Sequence, residues 1–157
     1  PVRWGAVTAE LRLLSIHAHP DDEASKGAAT VARYVAEGVR ATLVCCTGGE
    51  AGDILNPAAD TPEVRAELHA VRMAELQASA DILGYSAVHM LGYHDSGMPK
   101  TETNARPDNF ANAPFDEAVE RLAKGEALSC LTFVADDLLE ERPVTCEVAG
   151  FALLAPS

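Results

Sequence analysis

Basic residues are scarce in this chain. Twelve Lys and Arg face 24 Asp and Glu, a formal net charge of -12. None of the cations forms a run, so the clustered charge that phosphate contacts need is missing and a nucleic-acid surface is excluded. Long apolar runs are also absent. Nothing approaches the ~18 consecutive apolar residues of a membrane span. Arg3, Glu10 and Arg12 interrupt the N-terminal stretch where a signal peptide needs an unbroken apolar core. The expected setting is the cytoplasm, with no membrane partner. Cysteine is limited to positions 45, 46, 130 and 146, without a Cys-x-x-Cys spacing, which excludes a zinc-finger framework. Cys45 and Cys46, neighbours on a strand, point to opposite faces and read as buried free thiols in a reducing compartment. No Gly-x-Gly-x-x-Gly follows the first apolar stretch, and the acids that do follow it would repel a pyrophosphate. A nucleotide-binding domain is set aside on that ground. Histidine is missing from the C-terminal third, since all five lie at or before position 94.

What remains fits one globular domain with a small-molecule partner. The chain has 157 residues and is 48% hydrophobic, enough for a real core. Residues 1–10 read as a leader of no assigned role. Beyond them strand and helix patterns alternate. An apolar stretch at 11–16 reads as a buried strand, and residues 25–37 as a helix with Ala28, Val31, Ala32 and Val35 on one face and Gly38 as its stop. Residues 39–46 suit a strand buried on both faces. Thr61 and Pro62 start a helix whose apolar stripe, Val64, Leu68, Val71, Ala78 and Ile82, recurs at helical spacing up to Leu83, with Gly84 closing it. A third strand is expected at 86–91, an irregular segment anchored by Phe110 at 98–114, a helix at 115–124 and a fourth strand at 128–135. Such alternation implies an α/β fold with a mostly parallel sheet.

The densest chemistry lies in the run His17-Ala-His-Pro-Asp-Asp-Glu23, directly after the first strand. Open α/β sheets place ligands at the carboxyl ends of their strands. Imidazole and carboxylate are ordinary zinc ligands, and a catalytic zinc needs about three protein ligands and an open position for water. A further carboxylate serves as base to that water. The plainer reading is that Asp21 and Asp22 cap the following helix and favour its dipole. Two further loops should reach the same sheet edge, one carrying Gly48, Gly49 and Glu50, the other His94 and Asp95. Arg72, mid-helix, reads on its own as a solvated residue pairing with Glu75. His69 and His89 have no partner identifiable in the sequence.

Four ordered segments, His17 to Glu23, Thr47-Gly-Gly-Glu50, Arg72-Met-Ala-Glu75 with Leu83-Gly84, and Asp95-Ser-Gly-Met98, resemble the LmbE/PIG-L family of zinc-dependent deacetylases. Within it, Ser25-Lys-Gly-Ala-Ala29 and Ile54-Leu-Asn-Pro57 are most similar to the mycothiol S-conjugate amidases. The resemblance implies a Rossmann-like three-layer fold and Zn2+ or another divalent ion held by His19 and Asp22, with Asp21 as general base. It further implies that Lys26, Glu50, Arg72 and Asp95 bind the substrate, a sugar-inositol thiol conjugate whose amide bond is hydrolysed. It covers residues 11–123. The family's later histidine segment, which supplies a third metal ligand, has no counterpart here, and residues 124–157 read as a divergent tail of a truncated or frameshifted product. His94, on the same sheet edge, is the weaker candidate for that third place. Two alternatives accompany the amidase reading: a catalytically defective or non-catalytic metal- and sugar-binding domain, and an N-acetylglucosaminyl-inositol deacetylase if the chain is complete.

Overall fold

The computed structural model describes residues 11–124 and one further strand, Phe151–Leu154. The elements run β1 (Arg12–His17), α1 (Asp22–Ser25), α2 (Ala28–Ala36), β2 (Arg40–Thr47), α3 (Pro62–Ala66), α4 (Leu68–Leu83), β3 (Ala87–Tyr93), a 3-10 turn (Phe110–Asn112), α5 (Phe115–Lys124) and β4 (Phe151–Leu154). The sheet has the order β3-β2-β1-β4. β1 pairs with β2 and β2 with β3 in parallel, so the carboxyl ends of all three strands face one edge. β4 adds to β1 antiparallel. The α/β fold with a mostly parallel sheet is therefore present. The tail, from which no strand was expected after residue 135, supplies an edge strand, and the strand expected at 128–135 lies outside the described residues.

β2 lies between β1 and β3 and is buried from Ala41 to Thr47, as its unbroken apolar run requires. One face of the sheet carries the larger core cluster: Leu13, Leu43 and Cys45 pack with Val31 of α2 and with Leu76 and Ala80 of α4. The other face holds Leu14 and Val44, with Ile16, Leu91 and Leu122 of α5 beside them. Cys45 and Cys46 are both buried and free, and burial pushes the Cys45 thiol up to about 12 and the Cys46 thiol up to about 11.

Two helices differ from their sequence reading. The helix expected over 25–37 is split, because Gly27 takes φ 107° between α1 and α2, a left-handed conformation that glycine adopts without strain. Of its expected face, Val31 and Val35 reach the core, while Ala32 is exposed. The helix from Pro62 breaks at Glu67, although Thr61 caps it as expected, its hydroxyl accepting the Val64 N–H (3.3 Å). α4 turns a different stripe to the sheet: Met73, Leu76, Ala80 and Leu83 pack on the core, and Ile82 is 84% exposed. Both stripes have helical spacing, and contact with the sheet selects between them. The segment after β3 is pinned as expected by Phe110, whose ring packs on Tyr93 with centroids 5.4 Å apart and planes tilted by 45°. Asn109, fully buried, adds hydrogen bonds to Thr103 O and Asn104 O.

Candidate functional site

The turn after β1 is built by three consecutive acids with separate tasks. Asp21 adopts φ 95°, a strained conformation that Asp tolerates better than most residues. Its N–H donates to the buried Glu23 carboxylate at 2.9 Å. The Asp22 carboxylate accepts the His19 N–H at 3.2 Å and holds the Lys26 ammonium on its other oxygen. Capping does not account for this pair, since Asp21 at the N-cap makes no side-chain cap bond. Burial by itself would raise the Asp22 carboxyl, but the Lys26 ammonium and the His19 N–H outweigh it and hold the group below its usual range. Behind the turn, His17 is buried against Ser15, with Oγ and Nε2 2.7 Å apart. Burial pushes its imidazole down against the opposing pull of Asp22 and Glu23.

The loop after β2 is folded around two side chains of α4. A Cβ on Gly48 would collide with the Glu50 carboxylate and the His69 ring, and one on Gly49 or Gly52 would collide with the Arg72 guanidinium. At all three glycines the chain passes close to the ends of side chains from other residues, which a Cβ would displace. His69 and Arg72 are one turn apart and share a helix face. Arg72 donates to Gly49 O at 2.5 Å, to Pro20 O at 2.9 Å and to Asp21 Oδ2 at 3.1 Å, thereby joining the loops after β1 and β2. With its side chain only 16% exposed it is an internal clamp. The solvated pairing with Glu75 expected from the sequence is corrected accordingly: the helix face that carries Arg72 is covered by the glycine loop.

The third loop closes the group. Asp95 is buried. Its Oδ2 accepts the Ala51 N–H (3.2 Å), its Oδ1 accepts the Gly97 N–H (2.9 Å), and Oδ1 also stands 3.3 Å from His19 Nε2. The Asp95 N–H donates to Glu50 Oε2 at 3.2 Å, and Glu50 Oε1 lies 3.3 Å from His69 Nδ1. His19, Asp22, Lys26, Asp95 and Glu50 thus form one continuous chain of contacts, with Asp21 and Arg72 joined to it through the turn after β1. The imidazole of His94 instead faces Asp108 at 3.6 Å on an exposed part of the loop. The residue that sequence reasoning missed is His69, and its only signal was a spacing of three from Arg72.

The chemistry of this group can be matched against a divalent cation. His19 Nδ1 lies 3.7 Å from Asp22 Oδ2, so an imidazole and an ionised carboxylate converge, while the other carboxylate oxygen, Oδ1, is held by the Lys26 ammonium. Both donors suit zinc. Two such donors fall short of the roughly three protein ligands of a catalytic zinc, and among the described residues no third His, Cys, Asp or Glu completes a group with them.

Residues 14–132 match the PIG-L family, described as GlcNAc-PI de-N-acetylase. The chain belongs to the PIG-L family. Two relatives illustrate the likeness of this PIG-L chain. It is 50% identical over 95 residues to a mycothiol S-conjugate amidase of Streptomyces coelicolor, covering 60% of this chain and 32% of that protein. It is 45% identical over 119 residues to a 1D-myo-inositol 2-acetamido-2-deoxy-alpha-D-glucopyranoside deacetylase of Geodermatophilus obscurus, covering 72% of this chain and 40% of that protein. The chain therefore spans about a third to two fifths of the length of these relatives. Among solved structures, the 4-carboxy-2-hydroxymuconate hydratase of Pseudomonas putida shares the fold at a TM-score of 0.53 and 21% identity, over 71% of this chain and 40% of its own. Among the described residues of this PIG-L chain no helix is long and apolar enough to cross a membrane.

Proposed function

We propose that this chain carries part of the catalytic site of a zinc-dependent hydrolase that cleaves an amide bond on a glucosaminyl-inositol conjugate. The observation that carries the reading is the convergence of His19, Asp22, Asp95 and Glu50 from three loops at one sheet edge. His19 and Asp22 would hold the metal, which when bound polarises the amide carbonyl and acidifies water. Asp21, its side chain 73% exposed beside Arg72, takes the proton of the attacking water and passes it to the nitrogen as the C–N bond breaks. The products are an amine and a carboxylate. Arg72 fixes the turn that presents Asp21, and Lys26, near Asp22, meets the developing negative charge. Asp95 and Glu50 line the sugar side, where carboxylates accept hydrogen bonds from hydroxyl groups. The likeness to the S. coelicolor amidase, 50% over 95 residues, supports a thiol conjugate of the sugar-inositol as the substrate. The likeness to inositol-sugar deacetylases supports the same sugar with a simple acetyl group.

Amine release from the two substrates, measured with added zinc, tests the reading. Activity on either that disappears in Asp21→Asn and Asp22→Asn is the expected outcome. Undiminished activity in both variants would remove this edge from the chemistry. Zinc retained by Asp22→Asn at the wild-type stoichiometry would remove the proposed metal position.

A further inference from the structure

His69 stands on the first turn of α4 with 61% of its side chain exposed, and none of the proposed chemistry uses it. Its Nδ1 lies 3.3 Å from Glu50 Oε1, while Glu50 Oε2 accepts the Asp95 N–H at 3.2 Å. The two oxygens of one carboxylate are therefore held by two separate parts of the chain, α4 and the loop after β3. Arg65 lies beside the same loop but is bound to Asp60, with Nη2 2.7 Å from Oδ2. Of these two bases only His69 holds Glu50. The chain makes room for the contact at Gly48, where a Cβ would overlap both the Glu50 carboxylate and the His69 ring. From Asp95 the contacts continue to His19, with Oδ1 3.3 Å from Nε2.

A pair this exposed adds little to stability, because water screens it. What it changes is the freedom of Glu50. With both oxygens held, the side chain is ordered before a ligand arrives, and each oxygen keeps a further lone pair for a hydroxyl group. We infer that His69 is a positioning residue, which fixes the Glu50 carboxylate in the orientation that receives the hydroxyl groups of the substrate. That these hydroxyls belong to a glucosaminyl-inositol rests on the proposed function, whereas the hold on Glu50 rests on the contacts alone. Releasing one of the two contacts leaves a side chain that binding must then order, which corresponds to about three- to tenfold weaker binding. Asn at position 69 carries an amide N–H where Nδ1 stands and can donate to Glu50, whereas Leu keeps the bulk without a donor.

NMR titration of the whole chain with glucosaminyl-inositol tests the role. In the free chain His69→Leu should shift the Asp95 amide and the Glu50 carboxyl carbon, and His69→Asn should return both toward their wild-type positions. The probe should bind about three- to tenfold more weakly to His69→Leu and within about twofold of wild type to His69→Asn. Urea midpoints should stay unchanged in both variants. In a Glu50→Ala background His69→Leu should cost no further affinity, since the group that it releases is gone. An added loss in that background, or a loss that Asn does not restore, overturns the positioning role. So does an Asp95 amide that keeps its place in His69→Leu. If both signals move as expected but the wild-type chain takes no glucosaminyl-inositol, the hold on Glu50 stands and the sugar-inositol reading falls.

Discussion

Arg72 joins two loops that the sheet leaves separate, so its removal should be felt in stability. Its guanidinium donates to the carbonyls of Gly49 and Pro20, both buried residues, and to Asp21. Arg72→Ala leaves two acceptors without a donor in places water enters poorly. Hydrogen bonds from a charged group contribute roughly 1.5–3 kcal/mol each, and an orphaned buried acceptor costs a comparable amount. The Asp21 contact adds at most about 1 kcal/mol, because that carboxylate is 73% exposed and screened. The sum is a loss of about 3–7 kcal/mol, a large part of the roughly 5–15 kcal/mol that holds a small domain together. Arg72→Lys keeps the charge but not the fork, so one ammonium reaches one carbonyl and the loss falls to about 2 kcal/mol. Urea unfolding followed by circular dichroism measures both. A loss under about 1 kcal/mol for Arg72→Ala, or a Lys variant as stable as the parent, would refute the clamp.

Three other outcomes follow from particular contacts. Gly48→Ala meets only the ends of the Glu50 and His69 side chains, so it should cost under about 1 kcal/mol of stability yet displace Glu50 and shift the Asp95 amide resonance; an unshifted amide contradicts the Glu50–Asp95 link. Cys45 and Cys46, their thiols raised to about 12 and about 11 by burial, should resist iodoacetamide at pH 8 in the folded chain and react in 6 M urea, where rapid native labelling would show them accessible. The Asp108 carboxyl, paired with Arg106 at 2.7 Å, is pulled down to about 2 chiefly by that hydrogen bond. Because its folded value is depressed, the pair's contribution is present above the ordinary Asp range and is lost as pH falls toward about 2. NMR titration should place its midpoint near there, Arg106→Gln should return it toward 3.8, and an unchanged midpoint in that variant would deny the pairing.

Much of the architecture was legible locally. Strand β2 announces itself by an unbroken apolar run, Thr61 and Pro62 mark a helix start, and the His17 to Glu23 cluster follows a strand, which places it at a sheet edge. These features depend on backbone propensity and on residues a few positions apart, so the sequence by itself determines them. Tertiary structure decided the rest. α4 has two apolar stripes of equal spacing, and only the sheet chooses Met73, Leu76, Ala80 and Leu83 over the stripe that contains Ile82. Arg72 looks like a surface residue until the glycine loop covers it, and His69 gains a role only because Glu50 folds back over Gly48. β4 pairs with β1 across more than 130 residues of chain, a contact that no local pattern announces. Each of these depends on which distant groups compete for the same buried space, and that competition is settled only when the whole domain packs.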